Sequence, residues 1–274
     1  SGLQLSVLSL PRGVLDTGRG ARNNRASDSR FPAAMIHQAW QSFLERSDAN
    51  SGGTERAAAG SATRGIAWLP ELTVAVFEGA DVRRFLQGYL TCDTAALDAS
   101  RFVPAAICSL KGRVVVNGWC IAPHPQQVLF VIHASLFDPL QALLQVYLRF
   151  SRTRLSNLGD ERLVFGGLNL EESAGGAPVD AARRLLVCAD LAEAERLWQA
   201  QPHLTSGAWQ RQLIADGVPL VTAATTDAFL PQMLDLPALG AINFNKGCYL
   251  GQEVVARAQH RGQVKRHLAR LAWQ

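Results

Sequence analysis

The chain has 274 residues, of which 48% are hydrophobic and 18% charged, with a formal net charge of +4. That composition describes an ordinary globular protein of about two domains, and it excludes a wholly disordered chain; 23 glycines without a G-x-y period exclude a collagen. No apolar run approaches the ~18–20 residues of a membrane-spanning helix, so the expectation is a soluble protein with no membrane role.

Lysine occurs only at Lys111, Lys246 and Lys265, which leaves arginine as nearly all of the positive charge. Such a balance fits either the arginine bias of a GC-rich genome or an anionic partner. The five cysteines, Cys92, Cys108, Cys120, Cys188 and Cys248, are scattered and form no CxxC or CxxH. That spacing speaks against a disulfide framework or a structural zinc, and for a reducing compartment.

In chain order, the start at Ser1 reads as a processed or tagged N-terminus. Residues 1–34 carry Arg12, Arg19, Arg22, Arg25 and Arg30 against Asp16 and Asp28. Such an acid-poor leader reads as a poorly ordered extension or as an organelle transit peptide. Ile36, Trp40, Phe43 and Leu44 predict a short amphipathic helix over 35–45. The small, polar run 46–65 predicts a flexible linker.

The ordered body is expected from about Ile66. Leu72 to Phe77 predicts a strand, and Asp81 a cap for a helix carrying Val82, Phe85, Leu86 and Tyr89. Val103 to Leu110 and Arg113 to Ala122 predict a hairpin around Lys111-Gly112, with a third strand over Val128 to His133. Ser135 to Phe150 predicts a helix. Strands follow at Arg162 to Gly167 and Arg184 to Ala189. Next come a capped helix from Asp190 to Gln201 and a helix from Trp209 to Asp216, stopped by Gly217 and Pro219. Irregular alternation with hairpin signals favours an α+β fold.

The most informative stretch is Asn245 to Arg270. Gly247 and Gly251 bracket Cys248 and Tyr249, and Gln252-Glu253 open a helix with Val254 and Val255 on its apolar side. A thiol in a glycine loop ahead of a helix N-terminus, between Lys246 and Arg257, is suited to an anionic or polar ligand and to nucleophilic chemistry. Plain structural readings stand beside it. A single cysteine is often a small buried hydrophobe, Tyr249 can be core, and Glu253 and Arg257 at i,i+4 can simply pair with each other. The basic run Arg257, Arg261, Lys265, Arg266 and Arg270 reads as a solvated face in preference to an RNA-binding stripe.

The run Lys246-Gly247-Cys248-Tyr249-Leu250-Gly251-Gln252-Glu253 resembles the K-G-C-Y-x-G-Q-E signature of the YgfZ family of folate-binding proteins, which are similar in fold to the glycine-cleavage aminomethyltransferase. Flanking landmarks agree in order: Gly79-Ala80-Asp81, Phe85-Leu86-Gln87-Gly88, Lys111-Gly112-Arg113, Gly217-Val218-Pro219, Phe229-Leu230-Pro231-Gln232 and Val255-Ala256-Arg257. The resemblance covers roughly Leu72 to Leu271. It implies a GcvT-like α+β fold with mixed or antiparallel sheets and packed helices. The family's small C-terminal β-barrel is expected to be absent or truncated here. The expected organisation is an extension over 1–65, α+β parts over 66–155 and 156–207, and a segment over 208–274 that returns to the folate cavity.

For function, the resemblance implies a cytoplasmic tetrahydrofolate-binding protein that supports assembly or repair of iron–sulfur clusters in client enzymes, including enzymes that thiolate tRNA. The Arg-rich leader keeps the mitochondrial matrix as the alternative location. Cys248 is then the redox or cluster-contact candidate, and no resident metal site is expected. Asn117, Gln232 and Gln252 offer amides for a pterin edge, Tyr249 could face its ring, and Lys246, Arg257 and Arg211 offer cations for a glutamate tail, with Glu253 part of the same motif. Direct tRNA contact is not favoured. The alternative is a folate-dependent aminomethyl- or methyltransferase. Against it, the aminomethyltransferase carboxylate that acts on the folate nitrogen corresponds to Asn117, which cannot be a base. The carboxylate usual before the G-x-P landmark reads Ala215, with Asp216 beside it.

Overall fold

The computed structural model describes residues 36–50, 63–260 and 264–271. The expected leader and residues 51–62 of the expected linker therefore lie outside the described residues, as does Arg261.

Two antiparallel sheets organise the body. In the first, β2 (Leu72–Glu78), β3 (Val103–Cys108), β4 (Val114–His124), β5 (Gln127–His133) and β6 (Arg154–Asn157) lie in the order β3-β4-β5-β2-β6. In the second, β1 (Gly65–Trp68), β7 (Leu163–Leu168), β8 (Ala177–Pro178) and β9 (Arg183–Cys188) lie in the order β1-β7-β9-β8. The fold is α+β, with every strand-to-strand ladder antiparallel.

The central strands of the five-stranded sheet read as near-continuous apolar runs because both of their faces are buried. On one face Ala75, Phe77, Val116, Phe130 and Ile132 pack with Leu86 of α2 (Val82–Gln87) and with Leu140 and Leu144 of α3 (Phe137–Leu148). On the other, Val74, Trp119, Leu129 and Val131 meet Val164 and Leu185 of the second sheet and Trp209 and Leu213 of α5 (Ser206–Ala215). Gly166 on β7 permits that contact, since a Cβ there would lie 2.5 Å from the Trp209 ring.

The outer side of the second sheet carries α1 (Ile36–Asn50) and α4 (Leu191–Gln199). Trp40 is fully buried, edge-on to Phe165 at 5.1 Å and to Trp198 at 5.5 Å between ring centroids. Truncating such a tryptophan costs about 3–5 kcal/mol. The helix continues to Asn50, so residues 46–50 are helical and do not belong to a linker. Asp190 caps α4 as expected, accepting from the backbone N–H groups of Ala192 at 2.7 Å and Glu193 at 3.2 Å. Asp81, by contrast, does not cap α2. Its carboxylate instead accepts two bonds from Arg152, at 2.8 and 3.0 Å, which lower its pKa to about 2 from the usual 3.8. Helix α5 begins at Ser206, ahead of the expected Trp209, because Thr205 accepts from Ala208 N–H and caps it.

Candidate functional site

Two places gather groups suited to chemistry. The first is the glycine-flanked thiol segment that leads into α6 (Gln252–His260). Four contacts seat it. Lys246 sends its ammonium inward, donating to the carbonyls of Leu90 at 2.5 Å and Cys92 at 2.8 Å. Leu250 N–H donates to Gly88 O at 2.9 Å, just after α2. Gly251, at φ +79°, lies on the tip of the β3–β4 hairpin, where an added Cβ would come within 2.3 Å of Ser109 O. Gln232 donates to Val255 O at 2.8 Å and so ties the short turn Pro231–Leu234 to α6.

This seating leaves Gly247 and Cys248 exposed, while Lys246 and Tyr249 are buried. Of the five cysteines, all within the described residues, Cys248 is the exposed one. Burial pushes the Tyr249 hydroxyl up, and it has no hydrogen-bond partner among the described residues. Lys246 Nζ sits 5.4 Å from the centre of the Tyr249 ring. Desolvation lowers the pKa of the Lys246 ammonium, and the pKa of the Cys92 thiol is lowered chiefly by its contact with Cys120 and further by the Lys246 charge. The expected flanking of Cys248 by two cations is corrected on both sides. Lys246 points into the protein, and Arg257 is engaged with Glu253 at 2.7 Å on the exposed face of α6.

The second place is a cavity of about 180 Å³ between the two sheets. Pro104, Ala105, Asn117, Gly118 and Trp119 of the first sheet form one wall, Val179, Asp180 and Arg183 another, and Val218 to Leu220 with Leu236, Leu239 and Ala241 a third; Arg101 stands at its exposed rim. Asn117 joins two walls, donating to Pro219 O and accepting from Val221 N–H, each at 2.8 Å. Arg183 donates to Asp180 of its own wall at 2.7 and 2.5 Å and to Asp216, just ahead of the third wall, at 3.1 Å.

Of the nine residues singled out from the sequence, Asn117 lines this cavity. Lys246, Cys248, Tyr249, Gln252, Glu253 and Arg257 belong to the thiol segment and α6, where Gln252 accepts from Tyr249 N–H at 3.2 Å. Gln232 braces that helix, and Arg211 lies exposed on α5. The two places are joined by one stretch of chain. Leu236, Leu239 and Ala241 line the cavity, Thr91 donates to Ala241 O at 2.6 Å, and five residues later comes Lys246. Sequence reasoning missed Arg101, Asp180 and Arg183. Only the strand start at Arg184 lay close to the signal, and it stopped one residue short. Among the described residues no three His, Cys, Asp or Glu side chains gather as metal ligands, and no helix is long and apolar enough to cross a membrane.

The paired antiparallel sheets with a cavity between them define the class to which the chain is similar. It superposes on the crystal structure of glycine cleavage system aminomethyltransferase T from Bartonella henselae with a TM-score of 0.60 at 13% identity, over 73% of this chain and 64% of that one. The likeness is one of fold, and the chain spans just under two thirds of that protein. Among curated relatives, it is 34% identical over 232 residues to the "tRNA-modifying protein YgfZ" of Sodalis glossinidius, covering 74% of this chain and 70% of the relative. Proteins of the same name from Edwardsiella ictaluri and Escherichia coli O157:H7 are 32% and 30% identical. No protein-family model matches the chain. The chain belongs to the YgfZ family.

Proposed function

We propose that this protein binds tetrahydrofolate with the ring system in the inter-sheet cavity, and that it serves as an accessory factor in assembly or repair of iron–sulfur clusters in client enzymes. The observation that carries the reading is the make-up of the cavity: mostly apolar walls with a few polar groups among them, the usual build of a small-molecule site. Trp119, Leu220 and Leu239 offer surfaces for the faces of a flat ring, while Asn117, Asp180 and Arg183 offer both donors and acceptors for a pterin edge. A volume of about 180 Å³ is below the ~300–1,000 Å³ that encloses a drug-sized molecule, so it suits the ring head, with the glutamate tail outside toward Arg101. The residues fit the group.

Cys248 then acts on a separate, exposed surface, where a client's labile cluster or persulfide can reach its sulfur. Lys246, Tyr249, Gln252 and Gln232 are positioning residues for that surface, because their bonds and packing run to the protein and not to solvent. The relatives' name, tRNA-modifying protein, suits a role whose clients include tRNA-thiolating enzymes, and their bacterial sources suit work in the cytoplasm. Aminomethyl transfer is the weaker reading. Asn117 has no basic atom, and Asp180, at the cavity wall, is engaged by Arg183 and by the backbone N–H groups of Ala182 and Arg183.

Calorimetric titration with tetrahydrofolate tests the first half of the proposal. Saturable binding in the micromolar range, about −8 kcal/mol, is expected, and no heat at millimolar ligand overturns it. The second half predicts that Cys248→Ser binds folate as wild type does but fails to restore client activity in a deletion strain. Full restoration removes the thiol from the mechanism.

A further inference from the structure

One wall of the cavity is organised around a guanidinium. Arg183 opens β9 with its side chain only 10% exposed. Its Nε and Nη2 donate to Asp180 Oδ2, and its Nη1 donates to Asp216 Oδ2. Asp180 is held in turn by the backbone N–H groups of Ala182 and Arg183 at 2.9 Å each, and Asp216 by Gln212 at 3.0 Å. A guanidinium carries five N–H donors. Three are engaged here, which leaves one on each terminal nitrogen of a group that forms part of the cavity wall.

Charge decides what those two donors can take. Two carboxylates face one guanidinium, so this cluster carries a formal −1 and disfavours an anionic group beside Arg183, whereas Arg101 at the rim can meet one. A neutral acceptor does not meet that repulsion. We infer that Arg183 reads the carbonyl edge of an uncharged lactam ring in the cavity and is the residue that sets preference for an oxo over an amino substituent there. This rests on the folate reading for the identity of the ring. It adds a specificity-determining residue that no motif in the chain points to, and it gives Asp216, the acid beside the G-x-P landmark, the task of holding Arg183 in place.

The test compares tetrahydrofolate with its 4-amino-4-deoxy analogue, in which a donor replaces the ring carbonyl, by calorimetry on the full chain. Wild type is expected to favour the oxo compound. Arg183→Gln, whose amide can accept as well as donate, is expected to weaken the oxo compound about 10- to 100-fold while leaving the amino compound nearly as tight as before. Equal weakening of both ligands means that Arg183 only props up the wall, and it overturns the inference while the folate reading stands. If wild type binds neither ligand, the folate reading falls, and this inference with it. Should Arg183→Gln fail to fold, Asp216→Asn keeps the guanidinium and removes one counter-charge. The Asn amide oxygen still accepts from Nη1 and keeps Arg183 in place, so with less counter-charge on the guanidinium the preference for the oxo compound must widen, and an unchanged preference refutes the role.

Discussion

The thiol segment and the cavity are built in opposite ways. The segment is contiguous, its seats are backbone contacts at Gly251 and Leu250 and the buried Lys246 ammonium, and between them it leaves a cysteine in solvent. The cavity is assembled from stretches far apart in the chain, closed by side-chain clips such as Asn117 to Val221, 104 residues apart, and Arg183 to Asp216, 33 apart. A contiguous motif advertises itself by its spelling, whereas a wall made of clips is visible only when the sheets come together.

If the two regions are separable, variants of each should leave the other intact. The largest effect is expected from Gly251→Ala. A positive φ and a Cβ pressed against the Ser109 carbonyl and Gly112 Cα leave no room to relax, for a loss of about 3 kcal/mol in urea unfolding. Maleimide labelling of Cys248 should change, with folate binding preserved. A change in binding would join the two regions.

Asn117→Ala comes next. It leaves Val221 N–H and the Pro219 carbonyl without their partner, a cost of about 2 kcal/mol, and it should abolish ligand binding while Cys248 labels at the wild-type rate. Altered labelling would show that the shared stretch from Leu236 to Lys246 transmits strain.

The smallest effect belongs to Glu253→Gln. The pair with Arg257 is 78% and 73% exposed, so the loss should be about 0.3 kcal/mol and should shrink in high salt. A larger, salt-insensitive loss would mean that this pair helps to seat the segment.

Much of the fold was legible. The hairpin of β3 and β4, the strands β2, β5, β7 and β9, and the capped α4 all fall close to their expected places, because period, turn chemistry and capping act over a few residues. Strand β6 was not legible, since Arg154–Asn157 is a largely exposed edge without apolar alternation that pairs only because β2 lies beside it. Residues 46–50 look like linker by composition, yet they continue a helix whose Trp40 is locked against Phe165 and Trp198. Asp81 has the spelling of a cap, but Arg152, 71 residues away, is the partner of its carboxylate.

The sequence by itself determined the family, the α+β character and the position of the thiol loop, because each is written in adjacent residues whose backbone needs and hydrophobic period are local. Tertiary structure alone decided which way Lys246 points, that Asn117 bridges two walls, and that Arg183 faces the cavity between two carboxylates. A long side chain carries no direction in its spelling. Where its charge comes to rest depends on which distant carbonyls and carboxylates packing brings within about 3 Å of it.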